Sequence, residues 1–274
     1  MNVDLSIHTG LACKILTGFI RTEITRVGFT HAVIGLSGGV DSALSCALAA
    51  EALGPANVLA IRMPYRTSAA DSLEDAEKTA ALLGVRMETI EITPMVDPII
   101  QLDPQMSNVR KGNLMARARM MLLYDQSEAF RGLVVGTSNK TEILLGYTTL
   151  WGDMASALNP LGDLYKTQVR QLSAGMHLPQ SVLAKPPSAD LWAGQTDEGD
   201  FGFTYEEVDK LLFLLVDRRY SMEDCIAAGF RAEFVRQVLE RIRRSQFKRM
   251  MPPIAKLSNR TVGYDFLYLR DWGT

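Results

Sequence analysis

The chain has 274 residues, 47% hydrophobic and 22% charged, which is enough apolar material for a sizeable core in one large domain or two small ones. With 29 Lys and Arg against 31 Asp and Glu the formal charge is -2, so no whole-molecule basic field favours nucleic acid or an anionic membrane. The longest unbroken apolar run, 211–216, falls far short of the roughly 20 residues that span a bilayer, and the N-terminus does not read as a signal peptide, so a cytoplasmic protein is expected. Cys13, Cys46 and Cys225 are widely spaced and read as reduced structural thiols. His8, His31 and His177 show no zinc-ligand spacing.

Apolar residues at three- and four-residue steps, from Ala12 through Phe19 and Ile24 to Val27, predict an amphipathic helix ending near Gly28. A short β-prone run, 31–36, leads through a glycine turn into a helix over 42–53 stopped by Gly54-Pro55. The pattern repeats as strand 58–63, helix 68–83 closed by Gly84, and strand 87–92. A long helix over about 109–130 precedes strand 133–135 and the turn Gly136-Thr137-Ser138-Asn139. Such alternation predicts an α/β fold with a doubly wound parallel sheet. The expected division is a single domain, 1–274, with an α/β core over 1–185, a mobile acidic loop over 186–204 and a small helical C-terminal part over 205–274. In that last part helices are expected near 205–217 and 232–248, and 231–260 holds nine Lys and Arg against two Glu. This basic stretch reads either as a solvated helix face or as a pocket for a phosphate-bearing ligand.

The first strand runs into Gly35-Leu36-Ser37-Gly38-Gly39-Val40-Asp41-Ser42 and opens onto a helix. Adjacent glycines let successive N–H groups converge on an anion, the helix start adds its positive dipole end, and Ser37 and Ser42 supply hydroxyls. The loop lacks the Gly-Lys-Ser/Thr ending of a Walker A motif and is not Gly-x-Gly-x-x-Gly. Asp41 inside an anion loop would repel phosphate unless a divalent cation lay between them, so magnesium is expected.

Ser-Gly-Gly-x-Asp-Ser resembles the pyrophosphate-binding loop of the N-type ATP pyrophosphatases, which include NAD, GMP, asparagine and argininosuccinate synthetases and tRNA-thiolating enzymes. Within that group the chain is similar to the NAD synthetases. The likeness rests on Gly112-Asn113-Leu114-Met115-Ala116-Arg117, on Val135-Gly136-Thr137-Ser138-Asn139-Lys140-Thr141-Glu142, on Gly146-Tyr147, on Gly152-Asp153 and on Lys185-Pro186-Pro187-Ser188-Ala189-Asp190-Leu191. The resemblance covers nearly the whole chain.

It implies an adenine nucleotide alpha hydrolase-like, Rossmann-like fold and a ligase that amidates deamido-NAD to NAD with ammonia, releasing AMP and pyrophosphate from ATP. It also implies a homodimer, with the early apolar helix as a candidate interface. Carried over by motif, Gly35, Leu36, Ser37, Gly38, Gly39, Val40, Asp41 and Ser42 would hold the ATP phosphates, joined by Thr137, Lys166 and Ser188. Asp41 and Glu142 would hold magnesium, Asp41 and Lys166 would act in catalysis, and Asp153 is the candidate base for ammonia. Arg117, Phe247 and Lys248 would contact deamido-NAD, although Arg110, Arg117 and Arg119 equally fit solvated helix charges. A glycine-rich acidic stretch, 193–202, would close over the site.

Two positions depart from the free-standing ammonia-using pattern: Leu150 and Ala157 stand where such relatives carry a Lys and an Asp for the pyridine substrate. The segment 146–154 instead resembles the synthetase half of glutamine-dependent enzymes. With about 30 residues ahead of the ATP loop, no amidase domain is expected, so free ammonia, or ammonia from a separate partner, is the expected donor. A GMP-synthetase-like enzyme, a tRNA-thiolating enzyme and a non-catalytic adenine-nucleotide sensor are the alternatives.

Overall fold

The structure, a computed structural model, describes residues 3–188, 192 and 195–266. Helix α1 (Thr9–Arg26) begins at His8, whose Nδ1 accepts from the Leu11 N–H at 3.1 Å. Strand β1 (His31–Gly35) and helix α2 (Val40–Leu53) flank the glycine loop, followed by β2 (Val58–Arg62), α3 (Ala70–Leu83) and β3 (Arg86–Thr89). Next come α4 (Thr93–Ile100), α5 (Asn108–Ala129), β4 (Gly132–Val134), α6 (Lys140–Leu145) and α7 (Lys166–Gly175). The remainder is helical: α8 (Gln180–Ala184), α9 (Asp197–Phe201), α10 (Tyr205–Leu212), α11 (Met222–Ala227) and α12 (Ala232–Arg244). No described helix is long and apolar enough to cross a membrane.

The strands form one parallel sheet in the order β3-β2-β1-β4, with Ala32 opposite Val58 and Val33 opposite Val134. Alternate residues of the buried strands serve different layers, as period-two geometry requires. Ala32, Ile34, Val58 and Ala60 pack with α1, α2, α3 and α7, whereas Val33, Leu59 and Ile61 pack with Met115 and Ala118 of α5 and with Val96 of α4. The chain winds outward from β1 to β3, then returns past β1 to lay down β4. This reversal opens a crevice beyond the C-terminal ends of β1 and β4, where doubly wound folds bind ligands.

Helices α4, α8, α9 and α11 were not expected. In α4, Pro94 is tolerated in the first turn, but Pro98 obscures the period. Helices α8 and α11 are too short to show one. The stretch expected to be a loop, 193–202, is helical over α9. Thr196 Oγ1 accepts from the Gly199 N–H at 3.2 Å, Asp197, Glu198 and Asp200 suit a helix start, and Phe201 is buried. Residues 189–191, 193 and 194 of the expected loop lie outside the described residues. The helix expected over 205–217 changes after Leu212 to a wider π-helical turn, Phe213–Asp217, and that expected over 232–248 ends at Arg244.

The C-terminal helices share a second apolar core. Phe203, Val208, Leu211, Phe234 and Val238 pack there with Phe201, with Leu145 of α6 and Tyr165 beside α7, and with Val3 and Leu5 from the start of the chain. The helical part is thus fused to the two short elements that carry Glu142 and Lys166.

Candidate active site

A cavity of about 520 Å³ lies beyond the C-terminal ends of the strands. Gly35, Leu36, Ser37, Gly39, Val40, Asp41 and Ser42 line it, whereas Gly38 lies behind the loop against α3. Gly38 has φ +85°, and a Cβ there would sit 2.1 Å from the Ser72 carbonyl oxygen, so no other residue fits without moving the backbone. The loop is tied to itself. Ser42 Oγ accepts from the Ser37 N–H at 3.2 Å and donates to the Gly39 carbonyl at 2.9 Å, and the Gly39 N–H donates to Ser37 Oγ at 3.3 Å. Because α2 starts at Val40, its free N–H groups and dipole face the cavity.

Asp41 enters on the first turn of α2, Glu142 on the first turn of α6, and Lys166 opens α7. They converge: Lys166 Nζ donates to Asp41 Oδ2 at 2.5 Å and to Glu142 Oε1 at 2.9 Å. Burial by itself would lower the Lys166 pKa, but the carboxylates of Asp41, Glu142 and Asp197 outweigh it and raise the pKa above the usual lysine value. Burial pushes Glu142 up to about 7, opposed by Lys166 and reinforced by Asp41. Asp197, also raised by burial, accepts from Tyr205 Oη through Oδ2 at 2.9 Å.

The donor set suits magnesium. Two hard carboxylate oxygens already share one cation, the Lys166 ammonium, at the mouth of a phosphate-type loop. Magnesium is commonly held by one or two carboxylates, with phosphate and water completing the shell. Among the described residues no group of three or more His, Cys, Asp or Glu is placed to hold a metal.

Thr137, Ser188 and Asp153 also line the cavity. Ser188 Oγ donates to the Gln195 carbonyl at 2.7 Å. Asp153 is an exposed residue whose carboxyl group is nonetheless closely surrounded; that desolvation pushes its pKa up to about 6, and Oδ1 accepts from the Thr149 N–H at 2.5 Å.

Arg117, Phe247 and Lys248 do not line the cavity. Arg117 donates to the Leu150 carbonyl at 3.2 Å, and Lys248 Nζ donates to the carbonyls of Gly146 and Thr148 at 2.7 and 2.6 Å. Both therefore brace the segment 146–154. Phe247 is 61% exposed. Of the two departing positions, Leu150 is half-buried and Ala157 exposed, and the Ala157 N–H donates to the Val134 carbonyl beside the sheet edge.

Sequence reasoning missed Asn139, Thr141, Asp197, Tyr205 and Asp209. Asn139 had a local signal, because Asn followed three residues later by Glu is a helix-start pattern, and the reciprocal cap is present. Its amide also donates to Asp41 Oδ1 at 2.8 Å, which links the two carboxylate-bearing helices. The others act across long separations and had none.

The model of the family described as NAD synthase matches residues 12–252. An NH(3)-dependent NAD(+) synthetase of Trichlorobacter lovleyi is 57% identical over 98% of both chains. Among solved structures, the NMN synthetase of Francisella tularensis is 30% identical, with TM-score 0.82 over 92% of this chain and 100% of that one. The NH3-dependent NAD synthetase of Campylobacter jejuni is 32% identical, with TM-score 0.78 over the same shares. A self-tied glycine loop, two carboxylates meeting one lysine beyond a doubly wound sheet, and likeness over nearly the full length agree: this chain belongs to the NAD synthase family.

Proposed function

We infer that the chain is a ligase that amidates deamido-NAD to NAD with ammonia, converting ATP to AMP and pyrophosphate. The observation that carries the reading is the convergence of Asp41, Glu142 and Lys166 at the mouth of the 35–42 loop. A nicotinate carboxylate is a poor electrophile, so its oxygen first attacks the α-phosphorus of ATP and pyrophosphate leaves; ammonia then attacks the carboxyl carbon and AMP leaves. The N–H groups and hydroxyls of the 35–42 loop bind the phosphates, with Thr137 and Ser188 on the rest of the nucleotide. Lys166 neutralises charge that grows on the leaving pyrophosphate. Asp41 and Glu142 would hold magnesium, which supplies further neutralisation at the phosphates.

Ammonia must lose a proton as the C–N bond forms. Asp153, with its pKa near 6, is mostly ionised at neutral pH and lines the same cavity, so we assign it that proton. Arg117, Phe247 and Lys248 hold the dinucleotide from outside the cavity, with the braced segment 146–154 as its nearer wall. The enzyme works in the cytoplasm, as a homodimer, without an obligatory ammonia-supplying partner.

The test is product analysis with purified protein, ATP, magnesium and deamido-NAD in arms containing ammonium, glutamine or neither. NAD and AMP should form in equal amounts with ammonium alone; no NAD in any arm overturns the reading. Likeness to the Francisella NMN synthetase favours nicotinate mononucleotide as the second reading. Competing the two acyl substrates in one vessel decides which has the higher kcat/KM.

A further inference from the structure

We propose that Asp209, contributed by α10 of the C-terminal helical part, is a positioning residue that sets Lys166 against Glu142. Asp209 is 0% exposed, and both its oxygens are committed. Oδ1 accepts from Thr141 Oγ1 at 2.6 Å, and Oδ2 accepts from the Thr167 N–H at 2.8 Å. The Thr141 hydroxyl in turn accepts from the Lys166 N–H at 3.0 Å. One carboxylate therefore joins the first turn of α6, which carries Glu142, to the first turn of α7, which Lys166 opens.

The local sequence explains why α7 needs this help. Its N-cap residue is Tyr165, not the Ser, Thr, Asp or Asn that ordinarily satisfies the first free N–H groups of a helix. Asp209 supplies the missing acceptor from 42 residues away, directly to Thr167 and through Thr141 to Lys166. A carboxylate is well matched to that place, because it faces the positive end of the helix dipole and makes charge-assisted bonds. Burying it is costly all the same, and burial raises its pKa.

Tyr205 lies four residues earlier on the same face of α10. Its ring is 5.2 Å from Lys166 Nζ, and its hydroxyl donates to Asp197. Helix α10 thus addresses Lys166 at both ends, the backbone through Asp209 and the ammonium through Tyr205. The small C-terminal part completes the site instead of merely decorating the α/β core.

The proposal rests on Lys166 acting at the phosphates, so the experiment tests both levels. Melting temperature, kcat and the KM values for ATP and deamido-NAD are measured for wild type, Asp209→Asn, Thr141→Val, Thr141→Ser, Lys166→Met and the Asp209→Asn/Lys166→Met double variant. Asp209→Asn keeps shape but loses one acceptor. Its kcat should fall on the order of 10- to 100-fold, the cost of a small misplacement of a catalytic group, with KM for deamido-NAD nearly unchanged. Thr141→Val should behave alike, and Thr141→Ser, which keeps the hydroxyl, should retain turnover. On the Lys166→Met background Asp209→Asn should cause no further loss. Wild-type kcat in Asp209→Asn, or an equal loss on both backgrounds, overturns the proposal. Full turnover in Lys166→Met overturns it too, by removing the lysine's own role, and is a separate result. If Asp209→Asn does not fold, the Thr141→Val and Thr141→Ser pair decides: equal kcat in the two overturns the proposal.

Discussion

At the scale of single residues, the site is a problem in charge. Asp41, Glu142 and Asp197 act together on one ammonium, and burial, with the Asp41 charge adding and Lys166 opposing, holds the Glu142 proton up to about 7. A carboxyl whose native pKa lies above its unfolded value binds protons more tightly when folded. Its ionisation therefore destabilises the native state progressively as pH rises from about 4.5 through about 7. The Glu142→Gln variant escapes this cost. Its melting temperature without ligands should gain on wild type between pH 5 and pH 8, by roughly the few degrees that 1 kcal/mol or more brings. A difference that is flat with pH would contradict the assignment. The same variant should lose AMP formation by about 100-fold or more, read by AMP release with magnesium and both substrates present. Gly38 carries a steric constraint of a different kind. Gly38→Ala puts a methyl 2.1 Å from the Ser72 carbonyl oxygen at φ +85°, so a stability loss of roughly 1–3 kcal/mol and a broken phosphate loop are expected in urea unfolding and ATP titration.

At the scale of elements, short helices do most of the positioning. Helix α6 has six residues and would not persist alone; its stability comes from its cap and its packing. Asn139 closes that cap and also ties Asp41 to it. Asn139→Ala should cost about 1–2 kcal/mol in urea unfolding and lower kcat as well, because one side chain serves both helices. A stability loss with full turnover would separate the cap from the site. The early helix α1 is divided by its own geometry. Ile20 and Ile24 are buried against the core, whereas Leu11, Ile15, Phe19 and Val27 remain exposed. The proposed homodimer should run in light scattering at twice 30.3 kDa, and Ile15→Asp should shift it toward monomer if this stripe lies in the interface.

At the scale of the whole molecule, two apolar cores meet along α6 and α7, so stability and activity are linked. Phe234 lies in the C-terminal core, remote in sequence from the phosphate loop. Phe234→Ala should cost roughly 3–5 kcal/mol, and unfolding followed by circular dichroism and by ATP binding should still coincide in one transition. Separate transitions would mean that the helical part unfolds on its own.

The sequence by itself determined the layered α/β fold and the glycine loop after its first strand. Both are written in neighbouring residues: the alternation of strand and helix periods, and eight consecutive positions from Gly35 to Ser42. Asp41 and Glu142 stand within the quoted motifs, whereas Lys166 was named only through the family resemblance; the structure brings the three together. Tertiary structure alone decided what holds them. Asp209 meets Thr141 across 68 residues and Asn139 meets Asp41 across 98, and no local period or spacing records a bond that long. It also decided the fate of the acidic stretch, whose glycines read as a loop. Phe201 finds a buried place among Phe203, Tyr205 and Tyr147, and that burial, with the Thr196 cap, favours the helical turn of α9 over an open chain. Backbone chemistry specifies elements locally, whereas buried polar partners are chosen only when the core has brought distant segments out of water together.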